Sequence, residues 1–529
     1  MEVNMLNDFW CDHRGPFVET TGGTARGYKL DELYIFHGIK YANAKRYELP
    51  TPAKWDGILD CYTYGPVAPT VQKPSVRPAA ALRLDPCFRY NFWPEDEDCQ
   101  YVNVWTRGLG DGKKRPVMVW VHGGGYSTGS SVEQHSYDPS HLAEENDIVV
   151  VSFNHRLNIL GFLDMSEYSD KFKDSRNVGM RDIVLVLKWV RDNIEKFGGD
   201  PGNVTLFGQS GGGGKIMTLL QIPEAADLFH KVIFQSGLTY PFQDEEKKLR
   251  DGKATAKAVM DKLGIEKGEV EKIQSVPFDK LREAYLEVVP DLIDQGIMPG
   301  CSPCADDWYL GNPITCGFSE KSLNTPMIAG SVEAETYHFE DDFSDYQMSD
   351  EAKYERVKSM FGEHTDEMID LFKKAYPDDD ILNLYHMDKM FRRGTLEYLD
   401  ARKKNGGGVS YSYMIDYTFH FLGGMPSYHG CDLPMIFHNT DKVICMHEPT
   451  PIKLGMQMSK CWATFARTGD PNHEFIGEWK PYDAGEEYTM VFGEENRCVK
   501  NFDRELLYKN WEYTPHRSFF GGNRKKQPL

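Results

Sequence analysis

Apolar and polar positions along the N-terminal half of the chain follow two patterns. Continuous apolar, β-branched runs at 116–121 and 147–153 are typical of strands buried on both faces, as in a parallel sheet. A single apolar stripe at spacings of four, three and four then predicts a helix, and its members are Ile183, Leu187, Val190 and Ile194. Strand and helix therefore alternate in this half of the chain.

The remaining apolar runs extend this alternation toward the C-terminus. They predict strands at 204–207, 231–235, 326–329, 409–417 and 488–492. Strand, helix, strand in repeated order predicts an α/β fold with a mixed, mostly parallel sheet and helices on both faces. The stretch of about 244–320 is helix-rich and rich in lysine and glutamate. We interpret it as an insertion over the sheet, within a single domain that covers 1–529.

Composition and charge narrow the class of protein. The 529 residues are 40% hydrophobic and 26% charged, which is ordinary for a soluble globular protein, and no run of about 18 apolar residues predicts a membrane span. The net charge of −20 repels phosphate backbones and anionic membranes, so nucleic-acid binding is not expected.

The N-terminus and the cysteines bear on location. The first residues have neither a basic start nor an apolar stretch, so no secretory signal is predicted. Eleven cysteines without framework spacing favour reduced thiols, as in the cytoplasm. Cys301 and Cys304 form a CxxC with no second pair, and we interpret it as a turn with two incidental thiols rather than a metal site.

A candidate nucleophile lies between a predicted strand and a predicted helix. Residues 208–212 read Gly-Gln-Ser-Gly-Gly and fit G-x-S-x-G, after the strand at 204–207 and before a helix at 215–220. A serine in so sharp a turn needs glycine at 208 and 212, because larger side chains would collide with neighbouring strands. The helix N-terminus directs backbone N–H groups toward the serine. This context predicts Ser210 as a nucleophile.

A tetrahedral intermediate also needs donors for its oxyanion, and a second glycine cluster offers them. Residues 122–126 read His-Gly-Gly-Gly-Tyr and follow the strand that ends at Val121. Consecutive glycines let two backbone N–H groups converge on one point, and the Gly211 N–H next to the nucleophile is the expected third donor.

A serine hydroxyl needs a histidine base that is held by a carboxylate, in the chain order serine, acid, histidine. His429 lies in a loop after the strand at 409–417, at the end of the sheet where catalytic groups are expected. Glu333 and Glu335 both follow the strand at 326–329. If that segment stays extended, both side chains leave on the same side, and the residues alone do not choose between them.

These motifs resemble the type-B carboxylesterases, a family that shares a fold with the cholinesterases, and the resemblance covers nearly the whole chain. The matching segments are GIKYA at 38–42, EDCQYVNV at 97–104, HGGG at 122–125, NHRL at 154–157, NVGMRD at 177–182, FGGDP at 197–201, QSG at 235–237 and FARTGDP at 465–471. The resemblance implies an α/β-hydrolase fold with lid-like helical insertions. It also implies a serine carboxylesterase that hydrolyses small-molecule esters through an acyl-enzyme, with no cofactor or metal.

The same resemblance assigns the site. It places the triad on Ser210, Glu335 and His429, because the family's acid lies five residues after Gly330. It places the oxyanion hole on the backbone N–H groups of three glycines, Gly124, Gly125 and Gly211.

Three departures from the family pattern change the expectation. Gln209 stands where the family usually has glutamate, which weakens any case for cationic substrates. The aromatic choline-binding position has no clear counterpart, so we do not expect a cholinesterase. The stretch that aligns upstream of Cys99 has no cysteine, so the bridge of secreted members is not expected, and an intracellular bacterial-type enzyme is favoured.

Two alternatives remain at this point. One is a catalytically inactive adhesion or scaffold homologue, which usually lacks a triad member. The other is an amidase or thioesterase that uses the same triad, because specificity depends on the shape of the pocket. The sequence indicates neither the acyl preference nor the oligomeric state.

Overall fold

The computed structural model describes residues 8–71, 92–240, 250–299, 301–335, 337, 345–483 and 485–514. Within these ranges twelve strands form one large sheet. They are β1 Phe9–Trp10, β2 Tyr28–Leu30, β3 Leu33–Lys40, β4 Tyr101–Thr106, β5 Arg115–Val121, β6 Val149–Phe153, β7 Gly199–Gln209, β8 Lys231–Gln235, β9 Met327–Val332, β10 Ser410–Ile415, β11 Tyr488–Phe492 and β12 Arg497–Lys500.

The strand order of this sheet is β1-β2-β3-β4-β6-β5-β7-β8-β9-β10-β11-β12. All neighbours from β6 to β11 are parallel, whereas β1 to β4, the β4–β6 pair and the β11–β12 pair are antiparallel. The predicted mixed, mostly parallel sheet is confirmed, and the fold is that of the α/β-hydrolases. Three smaller sheets are also present. One has three strands, Phe17–Glu19, Thr24–Arg26 and Ile58–Asp60. The other two are pairs, Ala42–Asn43 with Thr51–Pro52 and Arg250–Asp251 with Met298–Pro299.

Helices connect the parallel strands. They are α1 Ser140–Asn146, α2 Asn158–Phe162, α3 Val178–Asn193, α4 Gly211–Leu220, α5 Gly252–Leu263, α6 Phe278–Asp294, α7 Pro313–Cys316, α8 Glu320–Asn324, α9 Asp350–Phe361, α10 Thr365–Ala375, α11 Ile381–His386, α12 Phe391–Lys404, α13 Asp432–Ile436, α14 Pro449–Thr468 and α15 Arg504–Tyr513. No helix in the part of the chain that the structure describes is long and apolar enough to cross a membrane.

The central strand β5 is buried on both faces, as its continuous apolar sequence predicts. Val117 and Val119 point into the same core as the predicted stripe of α3, while Met118 and Trp120 pack on the opposite face with Trp462 of α14. Each fully buried side chain of this size contributes about 1.5–3 kcal/mol to folding. Helices on both faces therefore hold the strand ends, and with them the site, in fixed positions.

The predicted helix-rich stretch contains α5 and α6, although residues 241–249 and 300 lie outside the described residues. Val259 and Leu281 of these helices share a core with Ile159 and Phe172, which follow β6. The division of the chain into one domain with an insertion stays a prediction. The four helices α9 to α12, between β9 and β10, were not predicted from the sequence.

Strand and helix bounds differ from the predictions at a few ends. The run at 147–153 becomes strand only from Val149, because Asp147 has a φ of 46° and ends α1. Helix α4 begins at Gly211, four residues before the predicted start at 215. The early start places the helix N-terminus directly after Ser210.

Candidate active site

Ser210 lies in the sharp turn between β7 and α4. Its backbone has a φ of 55° and a ψ of −125°, and its N–H donates to the Gln235 carbonyl of β8 over 2.8 Å. A non-glycine residue in such a conformation costs about 1–3 kcal/mol, and it persists only where the surroundings enforce it. The turn presents the serine side chain, which is partly exposed, at the carboxyl end of the sheet.

Two glycines make this turn possible, as the sequence predicted. A Cβ added to Gly212 would lie 2.0 Å from the Val121 carbonyl oxygen, and one added to Gly208 would lie 2.8 Å from both that oxygen and the Gly212 carbonyl carbon. Neither contact is tolerable, because backbone cannot move aside as a flexible side chain does. Strand β5 and helix α4 therefore approach each other only with glycine at both positions.

The glycine loop after β5 lies directly beside this turn. Gly124 and Gly125 have φ values of 82° and 61°, which favour glycine, and a Cβ on Gly211 would lie 2.2 Å from the Gly125 nitrogen. A Cβ on Gly123 would lie 3.5 Å from the Ser210 Cβ. The structure thus brings Gly124, Gly125 and Gly211 together next to Ser210.

His429 and Glu335 meet although 94 residues separate them. The Nδ1–H of His429 donates to Oε2 of Glu335 over 2.5 Å, and Oε1 of Glu335 accepts the Val332 N–H over 3.0 Å. Glu335 is fully buried, and His429 is 9% exposed, with the ring of Phe391 at 4.9 Å. The pairing fixes the imidazole with Nε2 available as an acceptor.

Glu333 is directed away from this pair. The strand ends at Val332 and the chain turns, so the two carboxylates diverge instead of leaving on one side. Oε2 of Glu333 accepts from Asn383 Nδ2 over 3.0 Å, and the residue is 1% exposed. Glu333 is therefore a buried side chain that α11 covers, and not a solvated loop carboxylate. Burial, with the carboxylates of Asp379 and Asp416, raises its pKa well above the usual value.

Gln209 also contacts the imidazole. Its Nε2 donates to Nε2 of His429 over 2.9 Å, and the side chain is 4% exposed. The sequence marked Gln209 only as a departure from the family pattern. The amide and the histidine lie 220 residues apart in the sequence, so no local signal indicates this contact.

Two further buried acids surround Glu335. Burial and the negative charge of Glu335 raise the pKa of Asp388 to about 7, and burial raises the pKa of Asp432 to about 6. Asp432 accepts from Gln235 Nε2 over 2.9 Å and from the Tyr413 hydroxyl over 3.1 Å. Asp388 and Asp432 therefore resist ionisation beside Glu335, whereas Glu335 itself is paired with His429.

Sequence reasoning did not identify several of these neighbours. Asp388 and Phe391 lie at the start of the unpredicted α12 region, and Asn383 lies on α11. Helix α10 carries a signal by which this helical region was detectable. Its buried residues have an amphipathic spacing, and they include Met368, Phe372 and Ala375. Lys215 was placed on a helix, but its burial was not foreseen.

The cysteines show contacts but no bridge at Cys99. Cys99 is buried and forms no disulfide with any described residue, and burial raises the pKa of its thiol well above the usual value. In the CxxC segment, Cys301 Sγ lies 3.8 Å from the Tyr285 hydroxyl, and Cys304 Sγ lies 3.6 Å from the Ser302 carbonyl oxygen.

Fold and site together define a hydrolase with a serine in a strand-to-helix turn, and comparison with known proteins gives its family. The family model described as "Carboxylesterase family" matches residues 14–511. The chain therefore belongs to the carboxylesterase family. It is a carboxylic ester hydrolase, in keeping with the relatives that are named esterases and carboxylesterases.

The relatives cover nearly the whole chain. The para-nitrobenzyl esterase of Bacillus subtilis (strain 168) is 31% identical over 503 residues, which cover 90% of this chain and 95% of the relative. The phenmedipham hydrolase of Pseudarthrobacter oxydans is 29% identical, over 92% of this chain and 96% of the relative. A solved esterase from anaerobic Clostridium hathewayi, described as able to hydrolyze aliphatic aromatic polyesters, superposes with a TM-score of 0.90. It is 37% identical and covers 96% of this chain and 100% of its own.

Proposed function

We propose that the protein is a serine carboxylesterase that hydrolyses small-molecule esters through an acyl-enzyme, with Ser210 as nucleophile. The observation that carries the proposal is the approach of three parts of the chain: Ser210 in its strained turn, the glycine loop beside it, and the 2.5 Å pair of His429 and Glu335. Each part comes from a different strand end of the parallel sheet.

In the first step, His429 Nε2 takes the Ser210 proton while Oγ attacks the ester carbonyl carbon. The carbonyl oxygen becomes an oxyanion, which the N–H groups of Gly124, Gly125 and Gly211 stabilise. The intermediate collapses, the protonated imidazole gives its proton to the leaving alcohol, and the acyl group stays on Ser210.

In the second step, water attacks the acyl-enzyme and His429 again accepts the proton. The carboxylic acid leaves and Ser210 regains its proton. Glu335 keeps the imidazole oriented and stabilises its charged form in both steps. The mechanism needs neither a metal nor an organic cofactor.

Replacement of Ser210 tests this proposal. With p-nitrophenyl butyrate, Ser210→Ala should lower kcat on the order of 10⁴-fold or more while the protein stays folded, because the nucleophile is lost. The wild type, but not the variant, should be labelled by a fluorophosphonate. Ser236→Ala is a matched control, since Ser236 is a buried serine at the end of the next strand with a φ of 47°. Turnover retained in Ser210→Ala would contradict the assignment and favour another nucleophile, whereas a wild type with neither turnover nor label would favour a scaffold role.

The polyester-hydrolysing relative supports a narrower substrate class. Its TM-score of 0.90 over 96% of this chain means that the two backbones agree over nearly their full length. We propose that this chain also accepts esters of aromatic acids with aliphatic alcohols. A panel that compares p-nitrophenyl butyrate with a dialkyl ester of an aromatic diacid, and with the matched amide and thioester, tests this. A faster amide or thioester reaction would favour the alternative chemistry.

We also propose a cytoplasmic protein that binds a small-molecule ester and no nucleic acid. The net charge of −20 and the buried thiol of Cys99 support this proposal. Fractionation of the source cells tests the location.

A further inference from the structure

A lysine lies buried behind the glycine loop. Lys215, on the second turn of α4, has no exposed surface, and its Nζ donates to the His122 carbonyl over 2.9 Å and to the Gly123 carbonyl over 3.3 Å. No carboxylate among the described residues forms an ion pair with it. A buried ammonium without a close counter-charge is costly, by several kcal/mol, so its position needs a physical reason.

The two carbonyl groups identify that reason. Gly123 C=O and Gly124 N–H belong to one peptide group, and Gly124 N–H is a proposed donor to the oxyanion. An ammonium on the carbonyl end draws electron density along the peptide and strengthens the N–H as a donor. The Nδ1–H of His122 donates to the same Gly123 oxygen over 3.0 Å, so two donors polarise this peptide.

The structure assigns Lys215 as a positioning residue of the oxyanion hole, which it orients and makes more electropositive through the Gly123–Gly124 peptide. This inference rests on the proposed function. The charge that develops on the substrate oxygen in the transition state is the counter-charge that the ammonium lacks in the free protein.

The surrounding ionisable groups make this effect sensitive to pH. The groups that interact with Lys215 are Glu133, before α1, His122 in the glycine loop, and His155, after β6. Burial lowers the pKa of Lys215 to about 7, although Glu133 opposes the shift, and burial raises the pKa of Glu133 to about 7. Burial, with Lys215 nearby, holds the pKa of both histidines well below the usual range, so both are neutral near pH 7.

Beyond His155, Arg156 is paired with Asp182 over 2.7 Å, and both are buried. Lys215 is therefore the cation that gains or loses its charge as the pH crosses about 7. Below this pH the ammonium is present and the oxyanion hole is strengthened, and above it this contribution is lost.

The test compares wild type with Lys215→Met and Lys215→Gln, using p-nitrophenyl butyrate. We expect kcat of Lys215→Met to fall about 10- to 100-fold with little change in KM, because the lost interaction acts on the transition state. The ratio of the wild-type to the variant kcat/KM should be largest near about pH 6 and should shrink toward about pH 9. The pH dependence that His429 contributes is common to both proteins, so it cancels in this ratio. A ratio that does not depend on pH would overturn the inference.

Lys215→Gln separates charge from hydrogen bonding. Its amide retains a donor for the loop but carries no charge, so we expect its kcat to resemble that of Lys215→Met. Full recovery of kcat in Lys215→Gln would overturn the inference and leave Lys215 a structural role. Lys231→Met is the matched control. Lys231 is another largely buried lysine with a lowered pKa, but it begins β8 at the opposite end of the sheet and bonds Asn203 over 2.5 Å.

A measurement on the wild type needs no folded variant. A trifluoromethyl ketone forms a tetrahedral adduct whose oxyanion should restore the proton of Lys215. At about pH 8, calorimetry in buffers of different ionisation enthalpy should therefore find about half a proton or more taken up, and no uptake would overturn the inference. A wild type that neither hydrolyses the ester nor forms the adduct would contradict the proposed function itself, whereas an active wild type with a pH-independent ratio contradicts only the role of Lys215.

Discussion

The side-chain amide of Gln209 donates a 2.9 Å hydrogen bond to Nε2 of His429, while Nδ1 of the same ring donates to Glu335. Nε2 is the atom that must accept the proton of Ser210 in the proposed mechanism. The amide therefore competes with the serine hydroxyl for one lone pair. Residue 209, next to the nucleophile in sequence, is thus placed to change how readily His429 accepts a proton.

We predict that Gln209→Glu moves the acid limb of the kcat/KM profile to higher pH by about one unit or more. A carboxylate beside Nε2 stabilises the protonated imidazole, so less free base is present at a given pH. Gln209→Leu removes the hydrogen bond to the neutral imidazole without adding charge, so its limb should move to higher pH by much less than that of Gln209→Glu. Superimposable profiles for Gln209→Glu and wild type would contradict this account.

Glu335→Gln should lower kcat on the order of 10²- to 10⁴-fold. The amide is nearly isosteric, but it does not stabilise the imidazolium and favours the wrong tautomer of His429. The midpoint of urea unfolding should change little, because the hydrogen bond from the Val332 N–H can be kept. A steady-state comparison with Glu333→Gln on one ester is the measurement, and a severe loss at 333 with a mild one at 335 would reverse the assignment.

Glu333→Gln should change the pH dependence of stability and leave kcat near that of wild type. The pKa of Glu333 is raised in the folded protein, so the folded state keeps a proton that the unfolded chain releases above about pH 4.3. Its contribution to the free energy of unfolding is full below that pH and is lost as the pH rises, by up to about 1.4 kcal/mol per unit.

A neutral glutamine has no such cost. We therefore expect the variant to gain stability relative to wild type between about pH 4 and pH 8, as measured by urea unfolding at both values. The Nδ2 of Asn383 can donate to the glutamine oxygen as it does to Glu333 Oε2. An equal difference in stability at the two pH values would show that Glu333 is ionised in the folded state.

Gly212→Ala should destabilise the fold by about 1–3 kcal/mol or more and lower the activity with it. The added Cβ would lie 2.0 Å from the Val121 carbonyl oxygen, so α4 and β5 must separate and the turn at Ser210 must shift. Gly214→Ala is the control in the same helix, where the nearest atom to the added Cβ is the Tyr126 hydroxyl at 3.3 Å. Thermal unfolding of both variants decides the matter, and equal melting temperatures would contradict the steric argument.

Most of the sheet was predictable from local patterns. The apolar runs at 231–235 and 488–492 match β8 and β11 residue for residue, because strands buried on both faces carry a continuous apolar signal. The stripe that contains Ile183 likewise matches the buried face of α3. The helices α9 to α12 were missed.

The amino-acid sequence by itself determined the α/β class, the carboxylesterase resemblance, and the glycine-flanked turn at Ser210. These depend on residues close together in the chain, where periodicity and steric limits act directly. Only the tertiary structure decided how Glu333 and Glu335 diverge, that Gln209 reaches His429, and that Lys215 bonds the loop before Gly124. The physical reason is that burial, hydrogen-bond partners and pKa shifts depend on segments far apart in sequence, which meet only when the sheet is assembled.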